Sequence, residues 1–104
     1  MTSSDLNSRG QQVLRLEADA LLVLSENLPP SFAQACELLA DCSGRVIVSG
    51  MGKAGIVGQK ISATLASTGT PSLFLHPSEA VHGDLGRLRQ SDVVVVLSNS
   101  GTTH

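Results

Sequence analysis

The chain has 104 residues, a formal net charge of −2, and two phenylalanines with no tryptophan or tyrosine. That length allows one domain at most, with a modest core, and is short for a complete α/β enzyme. No basic run or aromatic platform marks a nucleic-acid partner, no stretch approaches the roughly 20 apolar residues of a membrane span, and the opening MTSSDLNSRG lacks a signal-peptide core.

Ser3 to about Asn27 reads as one long helix, with Val13, Leu14, Leu16, Leu21 and Leu24 making a broad apolar face. Leu28-Pro29-Pro30 stops it. Ser31-x-x-Gln34 is a capping-box start for a second helix to about Asp41, closed by Ser43-Gly44. Cys36 and Cys42 fit neither a C-x-x-C motif nor a zinc ribbon, and read as buried, reduced thiols of a cytoplasmic protein. A first strand follows at Arg45–Ser49, and a glycine-rich turn feeds a helix from about Ala54 to Thr68, which Gly69 ends as a left-handed cap. A second strand over Ser72–Leu75 leads into a loop or single helical turn from His76 to Gly86. The third strand, Asp92–Ser98, carries Val93-Val94-Val95-Val96-Leu97 without alternation. Such a run marks a strand buried on both faces of a parallel sheet.

Three constellations carry chemistry. The first is RVIVSGMGKAGIVG, where an apolar strand empties into Gly50, Gly52, Gly55 and Gly58 around Lys53. Glycines let backbone approach a ligand, the helix N-terminus offers free N–H groups, and Lys53 adds a full positive charge. Gly50-x-Gly52-x-x-Gly55 formally matches a dinucleotide fingerprint, but the second strand ends in His76-Pro77-Ser78, without the acid that would bind a ribose. A P-loop fails because Ile47 and Ala54 stand where it needs a glycine and a hydroxyl residue. The same turn would also serve as a tight connection with no ligand. The second constellation, Ser98-Asn99-Ser100-Gly101-Thr102-Thr103, puts hydroxyls at the end of the third strand, where open α/β sheets bind ligands. It doubles as a polar helix cap. The third, His76-Pro77-Ser78-Glu79-Ala80-Val81-His82-Gly83-Asp84, gathers two imidazoles and two carboxylates suited to proton transfer or a divalent metal, though its spacing matches no standard zinc motif.

Taken together, GMGKAG, ATLASTGTPSLFLHPSEAVHGDLG and SNSG resemble the sugar isomerase (SIS) domain of the arabinose-5-phosphate isomerases. The likeness is dense from Gly44 to Gly101. It implies an α/β fold: a three-layer, parallel-sheet, flavodoxin-like SIS domain, incomplete here and preceded by two N-terminal helices. Residues 1–43 would form a helical segment packing on the domain, and residues 44–104 its first half. It implies interconversion of D-ribulose 5-phosphate and D-arabinose 5-phosphate, on the route to the Kdo sugar of lipopolysaccharide. The implied partners are a pentose 5-phosphate and further copies of the chain, a tetramer in the complete family enzyme, with neither nucleic acid nor membrane.

Residue by residue, the resemblance gives Lys53 a catalytic role and Gly52, in the same turn, a substrate-binding one. Gly69 and Thr70 match a substrate-contacting pair. His76 matches a histidine that touches substrate and can bind zinc, an ion the family tolerates rather than requires. His82 matches a second substrate-contacting histidine, and Ser98, Ser100 and Thr103 match the hydroxyls that hold phosphate. Family members continue past the phosphate loop with an acidic residue and later histidines, so the chain reads as the N-terminal half of a SIS domain, inactive by itself. A non-catalytic sugar-phosphate-binding module is the competing reading. Lys53, His76 and His82 favour the enzyme, because a sensor needs no proton-transfer groups.

Overall fold

A computed structural model describes residues 1–81 and 84–101, the side chains of residues 80, 81, 84 and 85 excepted. The chain divides into two compact units, Met1–Gln34 and Ala35–His104.

Helix α1, Ser3–Glu26, dominates the first unit and runs where the apolar periodicity places it. It starts on a reciprocal cap: Asp5 N–H donates to Thr2 Oγ1 at 3.1 Å, and Thr2 N–H to Asp5 Oδ2 at 3.0 Å. These Thr2 bonds hold the Asp5 carboxyl below its ordinary range. At the far end Asn27 Nδ2 donates to the Val23 carbonyl at 2.8 Å.

Helix α2 covers Pro30–Ala40. It begins on Pro30 and not behind a Ser31 cap, because proline presets a helical φ and lacks the N–H that a first position leaves unpaired. Both cysteines are free, but Cys36 is exposed, on a helix that buries none of its residues, and Cys42 is half-buried. The expected burial therefore fails for Cys36.

The second unit is built on a parallel sheet of β1 (Val46–Gly50), β2 (Ser72–Phe74) and β3 (Val93–Leu97), in the order β2-β1-β3. Helix α3, Gly52–Ser67, joins β1 to β2, while α4, Pro77–Val81, and a 3-10 turn at Asp84–Arg87 lie between β2 and β3. This is the parallel α/β arrangement that the resemblance implies. Val46, Ile47 and Val48 of the central strand are wholly buried and form its core with Leu75. From β1 the chain first adds a strand on one side and then crosses to the other, so the switch point lies between β1 and β3. Open α/β sheets bind ligands at the carboxyl ends of strands flanking such a point.

Helix α3 covers one sheet face, where a Cβ built on Gly58 would lie 3.1 Å from Val48, 3.2 Å from Phe74 and 3.3 Å from Leu97. Ile47 pairs with Val94 and Ser49 with Val96, and by the two-residue alternation these point to the other face. There Val94 is 49% exposed and Val96 68%. The unbroken valine run is thus covered on one face only, and no described element of this unit lies over Val94 and Val96. The expectation of burial on both faces is not met.

Two polar ties fix the unit. Ser72 Oγ donates its one proton to the Val46 carbonyl at 2.8 Å, so in the 2.8 Å contact of Ser62 and Ser72 hydroxyls Ser62 must be the donor. At the amino ends of β1 and β3, the far end of these strands from the switch point, Asp92 Oδ1 accepts the Arg45 N–H at 2.8 Å, and its Oδ2 accepts Arg45 Nη2 at 3.1 Å and the Arg89 N–H at 3.0 Å. Arg45 Nη2 also donates to the Arg87 carbonyl at 2.8 Å. The Arg45 backbone N–H, then its guanidinium, then the Arg89 N–H hold the Asp92 carboxyl down to about 2, from an ordinary 3.8.

A carboxylate with a depressed folded-state pKa adds stability above its unfolded value and loses it as pH falls through the folded one. The Asp92 contribution should therefore be complete above pH 3.8 and disappear towards pH 2. Circular dichroism during acid titration should show the parent losing stability in that window, and Asp92→Asn less stable at neutral pH without that component. Identical melting and acid curves would contradict the assignment.

Candidate functional site

The site grows from the carboxyl ends of β1 and β3. Gly50 and Leu97 are paired in register, so the segments leaving these two strands start side by side. After β1 the chain turns through Gly52 at φ +59°, a conformation that side chains resist, and enters α3. Helix and strand then come so close that a Cβ on Gly55 would sit 2.5 Å from the Gly50 carbonyl oxygen. Two of the turn's glycines are thus explained by the path of the backbone alone.

Lys53 is not. The helix begins at Gly52, two residues before the sequence reading starts it, so Lys53 stands in the first turn of α3. Met51, at the N-cap, gives no side-chain hydrogen bond, and the first turn holds no acidic residue. The leading N–H groups of a helix lack intrahelical partners, and its dipole favours negative charge there. A lysine at that place opposes the dipole. Among the described residues Lys53 makes neither an ion pair nor a hydrogen bond, and it is exposed. A helix start without a side-chain cap, beside a cation that has no partner among the described residues, can receive an anion.

Across the switch point, the segment after β3 folds back on itself: the Gly101 N–H donates to Ser98 Oγ at 2.9 Å, with Gly101 at φ +74°. An open cleft of about 1230 Å³ lies between the two segments. Ser49, Gly50, Met51, Lys53 and Ala54 form one wall, and Ser98, Asn99, Ser100 and Gly101 the other. Ile47, Val94 and Val96 make an apolar floor, continuous with the uncovered sheet face, and Leu75, Pro77 and Ser78 close a side.

His76 is half-buried between two of those lining residues, Leu75 and Pro77, directly before α4. Its Nδ1 lies 3.1 Å from the Ser78 N–H nitrogen and 2.7 Å from Ser78 Oγ. The structure thus brings Lys53, Ser98 and Ser100 to one cleft, with Gly52 and His76 adjoining it. His82 and Thr103 lie outside the described residues.

Gly69 and Thr70 are placed elsewhere. They follow the C-terminal end of α3, and a helix of 16 residues is roughly 24 Å long. Thr70 N–H donates to the Leu65 carbonyl at 2.9 Å and Gly69 N–H to that of Ala66 at 3.4 Å, the paired bonds of a Schellman cap. Gly69, at φ +101°, is explained by that cap without a ligand.

Sequence reasoning missed Ser49, Asn99 and Ser78 as cleft residues. Ser49 was readable, since it ends a strand two residues after Ile47 and shares its face. Asn99 lay inside a segment read for its hydroxyls alone, and nothing in the sequence shows that Ser78 turns back on His76.

The model of the SIS domain family matches residues 38–104. Arabinose 5-phosphate isomerase KdsD of Pseudomonas aeruginosa is 54% identical over 99 residues, covering 95% of this chain and 30% of that protein. KdsD of Escherichia coli K12 is 50% identical over 97 residues, covering 93% of this chain and 30% of its own. The chain therefore spans about 30% of the length of these curated relatives. A protein of E. coli CFT073, solved in complex with arabinose 5-phosphate, superposes with a TM-score of 0.92 at 43% identity, over 99% of this chain and 55% of that one. The strand order, the superposition and the family match agree, and the chain belongs to the SIS domain family.

Proposed function

We propose that the chain carries the substrate-holding first half of the SIS domain of an arabinose-5-phosphate isomerase. The observation that carries this reading is Lys53, without a partner among the described residues, at a helix start with no side-chain cap, facing the Ser98–Gly101 segment across the switch point. The relatives named KdsD and the sugar-phosphate complex of a structural neighbour support the choice of sugar.

In the proposed reaction the phosphate lies against the Ser98 and Ser100 segment, which orients the sugar and contributes binding energy. A proton leaves C2 of the aldose, giving an enediolate, and a proton returns to C1, leaving the carbonyl at C2. Nothing is oxidised or reduced overall, so the reading requires no cofactor. The Lys53 ammonium stabilises the developing oxyanion, and an imidazole or carboxylate shuttles the proton.

None of the described residues lining the cleft is a carboxylate or an imidazole. We therefore assign binding, and no turnover, to the 104-residue chain by itself. The same observation favours the second reading, a non-catalytic sugar-phosphate module. The reading further places the protein in the cytoplasm, as a homo-oligomer without nucleic-acid partners. Calorimetric titration should show arabinose 5-phosphate binding and NAD not binding. Binding of NAD alone would sink the proposal, and isomerisation by the 104-residue chain would overturn the division between binding and turnover.

A further inference from the structure

We infer that Ser78 fixes the tautomer of His76, so that the ring, beside the cleft, offers Nε2–H as a donor and has no lone pair for zinc. This rests on reading the cleft as a sugar-phosphate site. A backbone N–H only donates, and that of Ser78 lies 3.1 Å from Nδ1 of His76. Nδ1 must therefore carry its lone pair and no proton. The Ser78 hydroxyl, 2.7 Å from the same atom, is then a second donor to it. Were Nδ1 protonated instead, its hydrogen would face the Ser78 N–H hydrogen.

The local sequence explains why the ring is held so. His76 stands at the N-cap of α4, Pro77 takes the first helical position without an N–H, and Ser78 offers the first free backbone donor. The imidazole nitrogen thus does what a serine or aspartate oxygen does at most helix starts. With Nδ1 occupied, the ring proton is on Nε2, and Nε2 has no partner among the described residues.

A metal needs an unprotonated nitrogen. Nδ1 is taken by Ser78, and freeing the Nε2 lone pair would move the proton to Nδ1 and break both contacts. Among the described residues, moreover, no three His, Cys, Asp or Glu side chains come together, whereas a zinc site draws three or four protein ligands. The zinc that the resemblance allows at His76 does not fit this arrangement. An Nε2–H donor suits a sugar hydroxyl or carbonyl oxygen. Ser78 is accordingly a positioning residue acting through His76.

Long-range 1H–15N correlation spectra of the labelled 104-residue chain test this, with His76 assigned by its loss in His76→Gln. Nδ1 should appear unprotonated and Nε2 protonated, and equimolar zinc should leave that pattern unchanged. Ser78→Ala should raise the share of the Nδ1–H form and Ser78→Thr restore the parent state. A ring protonated on Nδ1, or a zinc-induced change at Nε2, would overturn the inference. A parent-like tautomer in Ser78→Ala would overturn the part given to the hydroxyl. Arabinose 5-phosphate added last separates the layers: failure to bind removes the sugar reading and leaves the tautomer result standing.

Discussion

Lys53→Ala is expected to weaken arabinose 5-phosphate binding at least tenfold while the chain stays folded and melts no lower than the parent. A hydrogen bond to a charged group contributes about 1.5–3 kcal/mol, and about 1.4 kcal/mol is a factor of ten in affinity. The folded state should not suffer, because Lys53 is exposed and makes no ion pair or hydrogen bond among the described residues. Removing a cation from a helix N-terminus relieves an unfavourable dipole interaction of about 0.3–1 kcal/mol. Lys53→Glu should therefore melt higher still and bind worse. In a full-length isomerase built around this sequence, turnover should fall with binding. Affinity within a few-fold of the parent, or a marked loss of stability, would show that the lysine serves the fold.

The second large effect concerns the uncovered sheet face. Parallel sheets normally have both faces covered, and here Val94 and Val96 are 49% and 68% exposed beside the apolar floor of the cleft. Fully burying such a side chain stabilises by about 1.5–3 kcal/mol, a sizeable part of the roughly 5–15 kcal/mol stability of a domain. A surface of this kind seeks cover, and the strand edge beside it offers unpaired backbone groups. Analytical ultracentrifugation should show the 104-residue chain self-associating as concentration rises. The double variant Val94→Lys, Val96→Lys should shift it towards monomer without unfolding, since both side chains already face solvent. A parent chain that stays a monodisperse monomer at every concentration would contradict this.

Much of this was legible in the sequence, for reasons that differ by element. The long first helix was readable because its apolar residues keep a helical period over many turns. Gly69 marked the end of α3, because few other residues accept that left-handed position. The start of α3 was not readable to the residue. Glycine has poor helix propensity, so Gly52 and Gly55 mask the helical register and leave Lys53 looking like part of a loop. The Val93–Leu97 run announced a buried strand, but exposure depends on what lies over it, and no local pattern records that. The Arg45–Asp92 pair joins positions 47 residues apart, which only the parallel register of β1 and β3 brings together. In the site, Lys53 and the serines after β3 were visible from chemistry and strand ends. The separation of Gly69 and Thr70 from them required the length of α3.

A sugar phosphate should bind at the switch point, between the start of α3 and the segment after β3. Hydrogen–deuterium exchange with and without arabinose 5-phosphate measures it directly, because backbone N–H groups in these two places are the proposed phosphate donors. Protection should appear in peptides covering residues 50–55 and 98–101, and vanish in Lys53→Ala. Protection confined to α1 or to the Gly69–Thr70 end of α3, with residues 50–55 and 98–101 unchanged, would contradict the account.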